Sequence, residues 1–255
     1  IEENALSILK KKNITHYKCN FSQGFKNPIS ELVGLFQLIR FLRKYKPTTI
    51  HSATAKANLM SLIACKFIKK TKLILSVSGM GTMFTGKVGM KKIILQTVYK
   101  LIFKISLRRL NFKFIFQNKD DYRNYKSFIN FKETDATIIK GSGVDTSILK
   151  PIPKVTNIIK VLLPARMLYE KGVQEFVNAA KILKYEGTKG KFYLAGDTLT
   201  INPSAIKIFT IEEWVREGLI SYLGYQYNLK KLYKDIDIVC LPSWREGFPK
   251  VLMEA

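Results

Sequence analysis

The alternation of short apolar runs with longer amphipathic ones constrains this chain more than any other feature. Strand-like runs fall at 48–50, 72–77, 114–116, 136–139, 158–163, 191–195, 220–223 and 236–241. Helical patterns lie between them at 28–45, 56–68, 88–110, 119–128, 173–185, 211–217 and 228–234. Strands that alternate with helices pair in parallel and are covered on both faces. The expected class is therefore α/β with doubly wound parallel sheets. The boundary near 112–116 reads equally as a helix end or a strand.

The pattern breaks once. Gly141 and Gly143 are followed by Pro151 and Pro153 before alternation resumes at Ile158. Two glycines and two prolines so close together make a linker. The expectation is two domains, 1–153 and 154–255, facing a cleft. Ligands of such sheets bind at the carboxyl ends of the strands. The chain opens in mid-pattern at Ile1-Glu2-Glu3 and stops in an apolar helical run at Met253-Glu254-Ala255, which suggests a piece of a longer protein.

Of the 255 residues, 43 are Lys or Arg and 19 Asp or Glu, a formal charge of +24. Such a surface attracts polyanions. Between Lys87 and Lys113 lie eight cations and no acidic residue: Lys87, Lys91, Lys92, Lys100, Lys104, Arg108, Arg109 and Lys113. Ile94, Val98, Leu101 and Ile105 recur among them at helical spacing. A basic amphipathic helix of this kind fits an anionic membrane surface, with Lys91, Lys92, Lys100 and Lys104 as the membrane-facing candidates. The same stripe would also pack a helix onto a sheet. No nucleic-acid partner is expected, because no recognition module accompanies the charge. The longest uncharged run, 73–86, is too short to span a bilayer. Three dispersed cysteines, Cys19, Cys65 and Cys240, give neither a disulfide framework nor a zinc signature and read as small buried hydrophobes.

Two clusters carry chemistry. The strand at 158–163 runs into Arg166 and Lys171 before the helix from Val173. A guanidinium fork and a point charge at a strand end suit a diphosphate. The second cluster, Ser243-Trp244-Arg245-Glu246-Gly247-Phe248-Pro249, follows another strand. Gly247 permits a tight turn, Pro249 fits the first turn of a helix, and that N-terminus would attract an anion. Glu246 and Glu254 are eight residues apart, about 80° beyond two full helical turns. Carboxylates beside an anion site are better suited to gripping sugar hydroxyls.

These residues resemble the retaining nucleotide-sugar glycosyltransferases of family 4, which have two Rossmann-like domains in the GT-B arrangement. Glu246 and Glu254 match the family's E-x7-E signature, within Leu241-Pro242-Ser243, Glu246-Gly247-Phe248-Pro249 and Leu252-Met253-Glu254-Ala255. Ala165-Arg166 and Lys171-Gly172 match its "GR…KG" element, and Gly141-Ser142-Gly143-Val144-Asp145 its interdomain connection. Asn202-Pro203-Ser204-Ala205, Trp214, Glu217-Gly218-Leu219 and Tyr222-Leu223-Gly224 resemble the branch that builds bacterial surface polysaccharides.

The resemblance implies transfer of a hexose or N-acetylhexosamine from a nucleotide-sugar donor, a UDP-sugar first, to a polyprenyl-diphosphate-linked saccharide acceptor, with no cofactor and no metal. It gives Arg166 and Lys171 the donor diphosphate, Glu246 the donor sugar, Glu254 the ribose and Gly247-Phe248 part of the phosphate cradle. Arg166, Lys171 and Glu246 are the catalytic candidates. On the acceptor side it points to His51, Ser78, Gly79 and Gly81. Ser78 replaces the histidine that many members carry, and the family's Gly-rich turn after the first strand is absent. The enzyme would sit in the cytoplasm, peripheral to the inner face of the membrane. The alternative is an inactive relative that only binds nucleotide sugar or anionic lipid. Intact Arg166, Lys171, Glu246 and Glu254 favour the enzyme.

Overall fold

The computed structural model describes the chain except residues 1, 23–26, 69, 80–88, 152–156, 199–201 and 203, and the side chains of 2–4, 91 and 92. The chain divides into two compact units, Ile1–Ile138 and Ile139–Ala255. The Gly141–Gly143 turn therefore belongs to the second unit.

The first unit holds α1 (Glu2–Lys11), α2 (Pro28–Tyr45), β1 (Thr49–Ala53), α3 (Ala55–Cys65), β2 (Lys72–Val77), α4 (Met90–Leu107), β3 (Asn111–Phe116), α5 (Lys119–Phe128) and β4 (Ala136–Ile138). The strands form one parallel sheet in the order β1-β2-β3-β4. Helix α2 starts where it does because the Asn27 side chain accepts from the Ile29 and Ser30 amides, with Pro28 in the first turn. Asn118 caps α5 in the same way, accepting from the Asp121 amide at 2.7 Å. The ambiguous segment before Phe114 is strand, because Asn111, Phe112 and Lys113 pair with Lys72, Leu73 and Ile74 of β2.

An aromatic cluster fills the core under this sheet. Tyr99, Phe103, Phe114, Phe116, Tyr125 and Phe131 are all buried, with Leu73, Leu75 and Val77 beside them. Phe103 meets Tyr125 edge-on, ring centroids 5.7 Å apart. The Tyr99 and Tyr125 hydroxyls lie 3.1 Å apart, so the buried phenols satisfy each other. Burial also pushes both phenols above their ordinary pKa.

Helix α4 packs with the face that carries Tyr99, Phe103, Ser106 and Leu107. The stripe Ile94, Val98, Leu101 and Ile105 lies on the opposite face and is exposed. Both faces are apolar, so periodicity alone had no way to tell which one turns inward. Among the described residues, no helix is long and apolar enough to cross a membrane.

The second unit holds β5 (Ile159–Pro164), α6 (Val173–Tyr185), β6 (Gly190–Ala195), α7 (Ile208–Arg216), β7 (Ser221–Tyr222), α8 (Leu229–Tyr233), β8 (Ile238–Val239) and α9 (Lys250–Glu254). Its parallel sheet has the order β7-β6-β5-β8. Two strands are shorter than their apolar runs. β7 keeps Ser221 and Tyr222, and β8 keeps Ile238 and Val239. Asp237 ties the start of β8 to β5, its carboxylate accepting from the Lys160 amide at 2.8 Å. One buried cluster is built on Leu163, Met167, Val177, Leu194 and Ile211 with Phe176 and Trp214, and Leu162, Ala195 and Ile236 form a second.

The cysteines are all free thiols. Cys65 is buried, with its thiol pushed up to about 11 by desolvation. Cys19 and Cys240 are only half-buried, a departure from the expected three core positions.

Candidate active site

Arg166 and Lys171 stand just past the end of β5, with Lys171 the last residue of a short 3-10 turn at Tyr169–Lys171. The segment 243–246 follows β8 and folds back over that turn. The Trp244 amide donates to the Glu170 carbonyl at 3.0 Å, and the Ser243 hydroxyl donates to the same carbonyl at 3.0 Å. The Trp244 indole donates to the Glu175 carboxylate at 3.2 Å. These bonds bring together residues more than 65 positions apart in sequence.

Gly172 makes the approach feasible. Its φ is +73°, and a Cβ there would stand 2.0 Å from the Pro242 carbonyl oxygen. No side chain fits, so the turn after Lys171 lies directly against the backbone before Ser243. Lys171 Nζ then donates to Glu246 Oε1 at 2.5 Å. The two side chains are only 22% and 24% exposed, so the pair is partly shielded from solvent.

The two signature glutamates have separate partners. Glu254 pairs with Lys250 at 3.2 Å within α9. It also hydrogen-bonds the Tyr233 hydroxyl, whose pKa is raised first by desolvation and then by the carboxylate. Glu254 and Lys250 line a cavity of about 450 Å³ with Gly143, Val144, Asp145, Tyr225, Tyr227 and Lys230. Pro249 is the residue before α9 rather than inside its first turn. Phe248 packs towards Gly141, where a Cβ would stand 2.7 Å from its ring. Gly247 and Phe248 are half-buried in the bend between the glutamates. Arg166 is exposed and, among the described residues, has no ion-pair partner.

In the first unit, His51 lies exposed on edge strand β1, with Nε2 and Ser76 Oγ 2.7 Å apart in a hydrogen bond. Ser78 and Gly79 follow the end of β2, where Gly79 has a φ of +140°. Gly81 lies outside the described residues, as do the side chains of Lys91 and Lys92. His51 also lines a largely apolar hollow of about 620 Å³ among α2, α3 and β1. Beside it, Lys56 pairs with Glu31 at 2.6 Å. Lys100 is half-exposed, its ammonium 5.3 Å from the Phe128 ring centroid, and Lys104 is exposed.

Sequence reasoning missed Ser243, Trp244 and the Gly172 contact as the parts that set the site. A glycine directly after the lysine was the available signal.

Comparison with known proteins agrees in both halves. A profile described as glycosyl transferases group 1 matches residues 159–255, and one described as glycosyl transferase 4-like matches residues 2–118. Both profiles describe glycosyltransferases, one for each half of the chain. It is 31% identical over 251 residues to the N,N'-diacetylbacillosaminyl-diphospho-undecaprenol alpha-1,3-N-acetylgalactosaminyltransferase of Campylobacter jejuni. That match covers 92% of this chain and 63% of the relative, so the chain spans under two thirds of the relative's length.

Among solved structures, HepE of Anabaena in complex with UDP-glucose matches with a TM-score of 0.72 at 17% identity. It covers 98% of this chain and 66% of that one. A glycosyltransferase of Rickettsia africae matches at 0.67 and 18% identity, covering 98% of this chain and 65% of its own. The sucrose-phosphate synthase of Thermosynechococcus elongatus matches at 0.72 and 15% identity, covering 92% and 60%. These structures share the two-sheet α/β fold.

Proposed function

We propose that the protein is a retaining glycosyltransferase that moves a hexose or N-acetylhexosamine from a nucleotide-diphosphate sugar to a lipid-linked saccharide in surface-glycan synthesis. A UDP-sugar is the first candidate donor and a polyprenyl-diphosphate-linked saccharide the acceptor. The observation that carries the reading is the Lys171–Glu246 pair beyond the strand ends, with exposed Arg166 in the same loop after β5. The Campylobacter relative is named for an undecaprenol-diphosphate substrate, and HepE was crystallised with UDP-glucose. Both support the substrate classes.

Arg166 and Lys171 bind the donor diphosphate and stabilise the charge that grows on it as the sugar leaves. Glu246 contacts the donor sugar and, paired with Lys171, fixes that ammonium before the donor arrives. Glu254, beside the 450 Å³ cavity, takes the ribose hydroxyls. The bond from the anomeric carbon to the phosphate oxygen breaks as the bond to the acceptor oxygen forms on the same face. The acceptor proton passes to the departing phosphate oxygen, so no side chain has to act as base. An acceptor anchored in a bilayer requires an enzyme at the membrane surface, on the cytoplasmic side where nucleotide sugars are made. The basic charge of the first unit suits that position.

The test is transfer of labelled sugar from a panel of UDP-, GDP- and ADP-sugars to a polyprenyl-diphosphate saccharide. Glu246→Gln should lower turnover at saturating donor at least tenfold with an unchanged circular dichroism spectrum. Turnover within about twofold of wild type, the expectation for an exposed charge, would refute the role of Glu246. No transfer from any donor would refute the enzyme.

A further inference from the structure

We infer that the outward face of α4 enters the interfacial layer of an anionic phospholipid bilayer. The inference rests on the proposed lipid-linked acceptor and names the surface that brings the enzyme to it.

The helix is apolar on both sides, but among the described residues only one side is buried. Tyr99 and Phe103 fill the core of the first unit. On the other side Met90 is 74% exposed, Ile94 57%, Leu101 57% and Ile105 51%, with Val98 between them. From Met90 to Ile105 this row runs about 22 Å along the helix axis. An exposed apolar stripe of that length marks an interaction surface.

Its surroundings select the partner. From Leu32 to Lys119 the chain has no Asp or Glu and 18 Lys or Arg. Lys104 flanks the stripe and is exposed. At the C-terminal end of α4, Lys66 donates to the Arg108 carbonyl, and the exposed Arg108 and Arg109 stand close enough to hold its ammonium below the ordinary lysine value, after desolvation. Among the described residues no carboxylate pairs with this cluster. A row of aliphatics ending in uncompensated cations fits acyl chains under anionic headgroups. It does not fit a cytosolic protein surface of mixed charge.

Vesicle co-sedimentation of the protein separates the outcomes. One variant carries Ile94→Gln, Leu101→Gln and Ile105→Gln. A second carries Lys104→Gln, Arg108→Gln and Arg109→Gln. A control carries Leu32→Gln and Phe36→Gln on α2, whose exposed apolar residues lie on another helix. Wild type should bind phosphatidylglycerol-containing vesicles and lose binding on neutral phosphatidylcholine or in high salt. The apolar variant should bind about tenfold or more weakly. The charge variant should also weaken, by about fivefold per cation removed, while the α2 control stays near wild type. A single tryptophan at Leu101→Trp should shift to the blue on vesicles and be quenched by brominated acyl chains.

Unchanged binding in the apolar variant, or an equal loss in the α2 control, overturns the inference. So does a wild-type dimer that the apolar variant turns into a monomer while vesicle binding persists. Transfer to a water-soluble short-prenyl acceptor reports on the glycosyltransferase reading separately. It should survive in all three variants, and its absence in wild type counts against that reading alone.

Discussion

The two units share a plan, four parallel strands with helices between them, but place their charge differently. The first unit has 26 Lys and Arg against 7 Asp and Glu, a formal +19. The second has 17 against 12, a formal +5. Ion pairs occur in both units: Lys171 with Glu246 and Lys250 with Glu254 in the second, Lys56 with Glu31, Lys113 with Asp135 and Arg123 with Asp120 in the first. The difference lies in the surplus, since 7 acids cannot meet 26 cations in the first unit, where apolar side chains on α2 and α4 also remain at the surface. A balanced unit can hold a small charged ligand in a fixed constellation. A one-sided unit acts through its whole field on an extended anionic surface. Under the proposed function, donor chemistry falls to the second unit and surface attraction to the first.

The largest effect expected is within the first unit. Phe103→Ala removes a fully buried ring from the aromatic core and should cost about 3–5 kcal/mol in a denaturant titration. Two positions away, Leu101→Ala removes an exposed side chain and should stay within about 0.5 kcal/mol. Equal costs at the two sites would mean that α4 turns its other face inward. In the second unit Gly172→Ala meets both an unfavourable φ and the Pro242 carbonyl, and should cost about 2–4 kcal/mol. A cost near zero would break the argument that this contact sets the Lys171–Glu246 pair.

A smaller effect separates the units by pH. Glu31 is buried, and hydrogen bonds from Lys56 and Ser22 outweigh desolvation to hold its carboxyl below the usual 4.5. A group with a lowered folded pKa stabilises above its unfolded value and loses that contribution as pH falls through the folded one. The first unit should therefore weaken below about 4.5, and Glu31→Gln should flatten that slope. Urea titrations at stepped pH, followed with probes in each unit, check it. A slope unchanged in the variant would show that the Lys56–Glu31 pair is not its source.

Much of this architecture was legible in sequence wherever the signal was local. Helices α2, α5 and α6 begin and end at the residues expected from their periodicity. What failed to appear was set by distant partners. The first residues of β3 are strand only because β2 lies beside them. The buried face of α4 was hidden because both faces are apolar, and an apolar period carries no direction. The Lys171–Glu246 bond spans 75 positions, so the two residues could be picked by type and motif but not joined. Glu254 meets Lys250 one helical turn away and the Tyr233 hydroxyl from α8.

Titration of UDP by calorimetry tests the central claim most directly, since the claim is that the turn after β5 binds the donor diphosphate. Loss of a charged hydrogen bond costs about 1.5–3 kcal/mol, so Arg166→Ala should weaken UDP at least tenfold. Lys171→Ala should weaken it further, because it also leaves the Glu246 carboxylate unpaired beside the phosphates. Both variants should keep the wild-type unfolding midpoint to within a few tenths of a molar in urea. UDP affinity unchanged in both would contradict the account.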